Sequence, residues 1–267
     1  MKPLEPPVKA GWVLSFDFDG TLHDPSAEPS VSAEFFERIR ELRVSHGAVW
    51  GINTGRSMPH VIEGLIDGRF PFCPDWVVAR ERELWYPNAF GRWVPDDKWN
   101  KRCEKDHRVF FRRIGKLLAA IRAEVEAHTG ATWVEQEGDP AGLIARSEEE
   151  MEWIMGRVVA MTAGEPQLGW QRNSIYLRFG HKNYQKGSSL RRVAEGFGLG
   201  AERCFAIGDS HNDFEMLVPE VAHAFACPGN AVAELRAHVA AGGGYVANLG
   251  QSAGCVEALD HYFGGGK

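Results

Sequence analysis

Short apolar runs ending on polar or acidic residues alternate with segments of helical period, and this alternation stops mid-chain and resumes later. Such alternation is the pattern of a layered α/β fold. WVLSFDF (12–18) reads as a strand, SAEFFERIRELRVSHG (32–47) as a helix closed by glycine, and AVWGINT (48–54) as the next strand. PHVIEGLID (59–67) reads as a helix with Pro59 in its first turn, and WVVAR (76–80) as a third strand. The pattern returns at KGSSLRRVAEGFGLG (186–200), with RCFAIGD (203–209) a buried strand and NDFEMLVP (212–219) a helix. VAHAFAC, AVAELRAHVA, GYVANL and GCVEALDHYF continue it to the terminal GGGK.

The middle is organised differently. ELWYP (83–87) and GRWVP (91–95) flank an N-A-F-G turn, and one long helix is expected over 101–128. ATWVEQEG and GLIARS form one hairpin pattern, EEEMEWIMGRVVAMTAG (148–164) a helix, and GWQRN with SIYLRFG a second hairpin. The expected architecture is therefore a Rossmann-like α/β core, residues 1–80 and 183–267, whose mostly parallel sheet is flanked by helices. Residues 81–182 are expected to form an inserted α+β domain with an open sheet.

Composition narrows the class. A hydrophobic content of 44% with 25% charged residues is that of an ordinary globular protein. Thirty Lys and Arg against thirty-six Asp and Glu give a net charge of -6, which argues against nucleic-acid or anionic-membrane binding. The five cysteines are scattered without a C-x-x-C pair, so they read as reduced packing residues, which points to the cytoplasm. The prolines and charges of MKPLEPPVKAG are unlike a signal peptide, and no apolar run reaches the roughly 18 residues of a membrane span.

The residues able to do chemistry share one placement. Asp17 and Asp19, Thr54, and Asp209 with Asp213 all follow predicted strands. In open α/β sheets ligands bind beyond the carboxyl ends of the strands, so these side chains are expected at one rim, with Lys186 able to join them from the start of its helix. Clustered carboxylates repel unless a cation neutralises them, and Mg²⁺, with its oxygen ligands and affinity for phosphate, suits such a rim. A lysine and loop N–H groups could hold phosphate oxygens, one carboxylate could attack phosphorus, and another could move the proton. A calcium loop is excluded because Gly20 and Thr21 follow Asp19 directly. A phosphate-binding P-loop is excluded because Gly115-Lys116 lacks the upstream glycine and is followed by leucine.

Four motifs then carry a resemblance. DFDGTL (17–22), NTGR (53–56), KGSSL (186–190) and GDSHND (208–213) resemble, in order, the four motifs of the haloacid-dehalogenase-like phosphatases. The insert between the second and third motifs is similar to the large α/β cap of the Cof-type and sucrose-phosphatase-like branch, mostly Mg²⁺-dependent phosphatases of sugar phosphates and related small metabolites. The resemblance implies Asp17 as nucleophile and metal ligand, and Asp19 as general acid and base with its carbonyl on the metal. It implies Thr54 with Gly55 on the phosphoryl group, Lys186 as its counter-charge, and Asn212 as a further phosphate contact. Asp209 is implied as a metal ligand, and Asp213 as a ligand through water or a group positioning Lys186. Phosphomannomutases carry a similar cap, so transfer between positions of a sugar and a non-catalytic binding role stand as alternatives to hydrolysis.

One stretch departs from the family pattern. Where relatives have a small polar turn after the third strand, this chain has Ala79-Arg80-Glu81-Arg82. His211 reads as a loop residue, KRCEKDHRVFFRR (101–113) as a solvated helix face, and the tryptophans of the insert as core. Arg178, on the strand before the third motif, is a candidate substrate contact whose face alternation alone leaves open. The expected partner is a small phosphorylated molecule.

Overall fold

The computed structural model describes residues 1–136 and 139–265, so Glu137-Gly138 of the first hairpin and the last two residues of the GGGK run lie outside the described residues. The chain forms two compact units, Met1–Trp99 with Lys186–Lys267, and Asn100–Gln185.

The first unit starts with β1 (Trp12–Phe16), α1 (Ala33–His46), β2 (Ala48–Asn53), α2 (Met58–Asp67) and β3 (Trp76–Ala79). Ser32 caps α1 by accepting from the Phe35 N–H. The chain then turns back through β4 (Glu83–Pro87) and β5 (Trp93–Pro95). After the second unit it returns with α6 (Lys186–Gly196), once α3 (Asp97–Arg113), α4 (Gly115–His128) and α5 (Glu148–Met161) have passed. The strands of the second unit are β6 (Thr132–Gln136), β7 (Asp139–Ile144), β8 (Leu168–Asn173) and β9 (Tyr176–His181). The first unit finishes with β10 (Cys204–Ile207), β11 (Ala224–Cys227), α7 (Ala233–Ala241), β12 (Tyr245–Val246) and α8 (Gln251–Phe263).

The sheet of the first unit runs β12-β11-β10-β1-β2-β3-β4-β5, parallel through β3 and antiparallel for the last two strands. Its central strand shows why the run is nearly all apolar: both faces are covered. Leu14 and Phe16 enter one core with Phe35, Trp50 and Leu259. Val13 enters the other, with Val49, Leu190 and Met216. The predicted α/β class and mostly parallel sheet are what is found.

Three expectations change. The insert was expected over 81–182, but β4 and β5 add to the first unit's sheet, Val77 opposite Trp85 and Tyr86 opposite Val94. The second unit therefore spans Asn100–Gln185. Trp85 and Trp93 pack against the first core accordingly. The single helix expected over 101–128 is interrupted at Ile114, whose ψ of 9° breaks the run just before Gly115. NDFEMLVP forms only a 3₁₀ turn at His211–Asp213, followed by turns up to Pro219, which cannot donate to a continuing helix.

The second unit pairs β6-β7-β9-β8, all antiparallel, and has its own core. Leu177 and Phe179 of β9 lie in that core, so alternation places Arg178 on the other face, beside Gly142 and Gln171. Trp133 and Trp170 pack on the core as expected, whereas Trp153 is 40% exposed. All five cysteines are free and buried. Among the described residues no helix is long and apolar enough to cross a membrane.

Candidate active site

The carboxyl ends of β1, β2 and β10 converge, as strand order requires, because β1 lies between the other two. Parallel pairing continues one residue past β1, where the Asp17 N–H donates to the Ile207 carbonyl at 3.0 Å. The chain then tightens: Leu22 and His23 both donate to the Phe18 carbonyl, and Gly20 sits at φ 77°. A Cβ at Gly20 would lie 2.5 Å from Oδ2 of Asp209. Glycine is needed there for its backbone angle and for the close approach of that carboxylate. Thr21 follows and donates its hydroxyl to Asp209 Oδ1 at 2.7 Å.

Lys186 opens α6 with a side chain wholly removed from solvent, and Asn53 Nδ2 holds its carbonyl at 2.9 Å. Its ammonium donates to Asp17 Oδ1 and to Asp213 Oδ1, each at 2.6 Å. Asp213 Oδ2 accepts from the N–H groups of Asp209 and Ser210, both at 3.0 Å. Both oxygens of Asp213 are thus committed. One oxygen from each of Asp17, Asp209 and Asp213 lies within 4.8 Å of the others.

The electrostatics follow from burial. Removal from water pushes the Asp17 carboxyl well above the usual carboxylate range; Lys186 opposes this, and the charges of Asp213 and Asp209 add to it. Asp209 is pushed up to about 6, first by burial and then by Asp213, against the hydrogen bond from Thr21. Burial also works against the Lys186 charge, but Asp17 and Asp213 overcome it and hold the ammonium above the ordinary lysine value. An all-oxygen, electron-rich donor set of this kind fits a hard divalent cation, with Asp17 and Asp209 the carboxylates best able to hold it.

Asp19 stands apart from this cluster. Its carboxylate is 44% exposed and is held by Arg56, Nε to Oδ2 at 2.8 Å and Nη2 to Oδ1 at 2.5 Å. The guanidinium lies 4.7 Å from the centre of the Phe18 ring, which fixes its plane. Thr54 is buried at the end of β2, where its hydroxyl accepts from the Arg56 N–H at 3.2 Å, and Gly55 lies between them. Asn212 Nδ2 donates to Glu81 Oε1 at 2.7 Å.

The structure therefore brings Asp17, Lys186, Asp209 and Asp213 into direct contact, with Thr54 and Gly55 on the neighbouring strand end. Arg56 and Thr21 were quoted within motifs but not singled out as site residues. Their signal was present, a basic residue and a hydroxyl each within two residues of an expected site residue, yet their partners lie 37 and 188 positions away.

The haloacid dehalogenase-like hydrolase family model matches residues 145–242. Solved structures match nearly the whole chain. The haloacid dehalogenase-like hydrolase yhjK from Bacillus subtilis is 17% identical, with a TM-score of 0.69 and coverage of 98% of this chain and 95% of that one. The chain carries the haloacid dehalogenase-like fold. The sucrose-phosphatase from Synechocystis sp. PCC6803, solved with sucrose and phosphate, shares this fold at 15% identity and a TM-score of 0.70, over 95% of this chain and 98% of its own. A subclass IIB sugar phosphatase shares it at 16% identity and a TM-score of 0.62, over 94% and 98%. Among curated proteins none matches. The family model covers the third and fourth motifs, and the fold is matched over nearly the whole chain, both in keeping with the resemblance.

Proposed function

We propose that this chain is a Mg²⁺-dependent phosphomonoester hydrolase of a small phosphorylated metabolite, of the sugar-phosphate class, working through an aspartyl-phosphate. The observation that carries the reading is the buried Asp17–Lys186–Asp213 triad, with Asp209 beside it, at the carboxyl ends of the central strands. The fold's relatives that are named sugar or sucrose phosphatases support the substrate class.

Asp17 is the nucleophile: its carboxylate oxygen bonds to phosphorus while the bond from phosphorus to the ester oxygen breaks. Asp19 gives its proton to the departing alcohol. It then takes one from water as the water oxygen attacks phosphorus, which frees the Asp17 carboxylate and releases inorganic phosphate. To reach the leaving group, Asp19 gives up part of its hold on Arg56. Lys186 keeps one oxygen of Asp17 fixed and supplies positive charge for the phosphoryl oxygens, while Asp213 holds Lys186 in place. Thr54, Gly55 and Asn212 contact the phosphoryl group. The side chains of Asp17 and Asp209, with the Asp19 carbonyl, would hold the Mg²⁺, which when bound supplies charge neutralisation for the phosphate. Asp213, its oxygens already committed, is assigned the positioning role.

Recognition of the leaving group is assigned to the second unit, whose Arg178 lies on the face of its sheet away from the core. A cytoplasmic setting fits five free, buried cysteines.

The test is release of phosphate from p-nitrophenyl phosphate and from a panel of sugar phosphates with Mg²⁺. Turnover disappears with EDTA and falls at least about a thousandfold in Asp17→Asn. Hydrolysis that persists in Asp17→Asn removes the nucleophile assignment.

A further inference from the structure

The Ala79-Arg80-Glu81-Arg82 turn holds a backbone outlier with a consequence for the site. Arg80 and Glu81 both adopt the left-handed region, at φ 49° and 61°, where residues with a Cβ are disfavoured. Strain of this sort persists only when surrounding contacts hold it, and it concentrates at functional sites. Glu81 is 1% exposed, an unusual place for a carboxylate. Each of its three polar groups bonds to a different motif segment. Its N–H donates to the Thr54 carbonyl at 2.8 Å. Its carbonyl accepts from Ser189 Oγ of α6 at 2.9 Å. Its carboxylate oxygen Oε1 accepts from Asn212 Nδ2 at 2.7 Å. The neighbouring Arg80 N–H adds a fourth tie, to the Arg56 carbonyl at 2.8 Å.

We propose that Glu81 is a positioning residue that sets the phosphate cradle, by tying the Thr54 loop, the Lys186 helix and Asn212 to one strained turn. The two backbone bonds fix the spacing of the strand end and the helix. The carboxylate fixes the Asn212 amide: with one N–H bound to Glu81 the group cannot flip, and its second N–H keeps a constant direction. A smaller residue here would preserve the turn and leave Asn212 free to rotate, so the carboxylate acts on alignment rather than on folding. This rests on the phosphatase reading above for the identity of the anion.

The experiment compares Glu81→Gly with Glu81→Gln. Glycine accepts φ 61° without strain and keeps both backbone bonds, so it removes the tie to Asn212 together with the carboxylate charge that acts on Lys186, and Glu81→Gln, which also lacks that charge, isolates the tie. Calorimetric titration of the Mg²⁺-loaded protein with inorganic phosphate, together with KM and kcat for p-nitrophenyl phosphate, reads the cradle directly. In Glu81→Gly the phosphate affinity falls and KM rises by about tenfold, kcat changes less, and Tm does not fall. Glu81→Gln, whose amide oxygen can still accept from Asn212, recovers most of the lost affinity. Wild-type phosphate affinity in Glu81→Gly overturns the proposal. So does an affinity loss that follows a fall in Tm and is equally large in Glu81→Gln. Failure of the phosphatase reading is separable: the wild-type protein then lacks turnover, while the phosphate titrations still report on Glu81.

Discussion

Replacing Lys186 with methionine tests the electrostatic core of the site. The ammonium is wholly buried and is bonded to two carboxylates at 2.6 Å each. Methionine fills a similar volume, so the dominant effect is to strand Asp17 and Asp213 without their cation. Breaking a buried ion pair by removing one partner costs about 3–5 kcal/mol. In chains of this size that corresponds to a fall in Tm of roughly 6–20 °C, at about 2–4 °C per kcal/mol. The loss has a defined pH dependence. Burial already holds the Asp17 carboxyl above its ordinary 3.8, and removing Lys186 raises it further by taking away the opposing charge. A carboxyl whose folded pKa lies above its unfolded one stabilises the fold below the unfolded value, and loses that contribution as pH rises through the folded value. The variant therefore suffers most at pH 8 and recovers part of the loss at pH 5, where the Asp17 carboxyl, held above its ordinary value, takes up a proton. Urea unfolding of variant and wild type at both pH values, in EDTA so that no metal substitutes for the lysine, gives the two differences. A loss below about 1 kcal/mol at pH 8, or an equal loss at pH 5, refutes the reasoning.

Gly20→Ala forces a side chain at φ 77° to within 2.5 Å of Asp209 Oδ2. We expect a loss of about 2 kcal/mol and weaker Mg²⁺ binding by calorimetry, and unchanged Mg²⁺ affinity would show that Asp209 is not held by this turn. Glu215, bonded to the Gly187 N–H, is pushed up to about 7 by burial from its ordinary 4.5. It stabilises the fold below 4.5 and loses that contribution as pH rises through about 7, so Glu215→Gln flattens the stability curve between pH 5 and 8. At pH 8 the variant gains about 1 kcal/mol after discounting for partial exposure, and parallel curves for the two proteins count against the assignment.

The strands and helices of the first unit were readable because β1, β2, β3 and β10 are short, apolar and bounded by polar turns, a pattern that carries its own period. The placement of the site residues at one rim followed from the strands' carboxyl ends, whereas the order of the strands is set by tertiary pairing. Membership of β4 and β5 was not readable. An antiparallel pair looks the same whether it extends one sheet or starts another, and the partner that decides it, Val77 opposite Trp85, is a matter of tertiary pairing. The segment after Asp209 misled for a local reason. Its apolar spacing suits a helix, but the segment is short and runs into Pro219, and it closes as a 3₁₀ turn followed by further turns. Glu81 stood out only as a departure from a family pattern. Its burial and three ties depend on segments that meet solely in the folded chain.

The four aspartates are chemically identical in sequence, and the fold separates them by what each can still bind. Asp213 has both oxygens occupied by Lys186 and by backbone N–H groups, which suits the positioning role proposed for it. Asp19 is paired outside the cluster with Arg56 and stays part-exposed. Asp17, buried and bonded to the ammonium that Asp213 also holds, and Asp209, half-buried beside them, remain, and both are pushed up in pKa. Three carboxylates facing a single ammonium leave a negative excess that burial makes costly. On the proposed reading, a divalent cation held by Asp17 and Asp209 would remove that excess and keep Asp17 ionised for attack. Asp17→Asn should therefore weaken Mg²⁺ binding more than Asp213→Asn does, a contrast that separates a ligand from a positioning group.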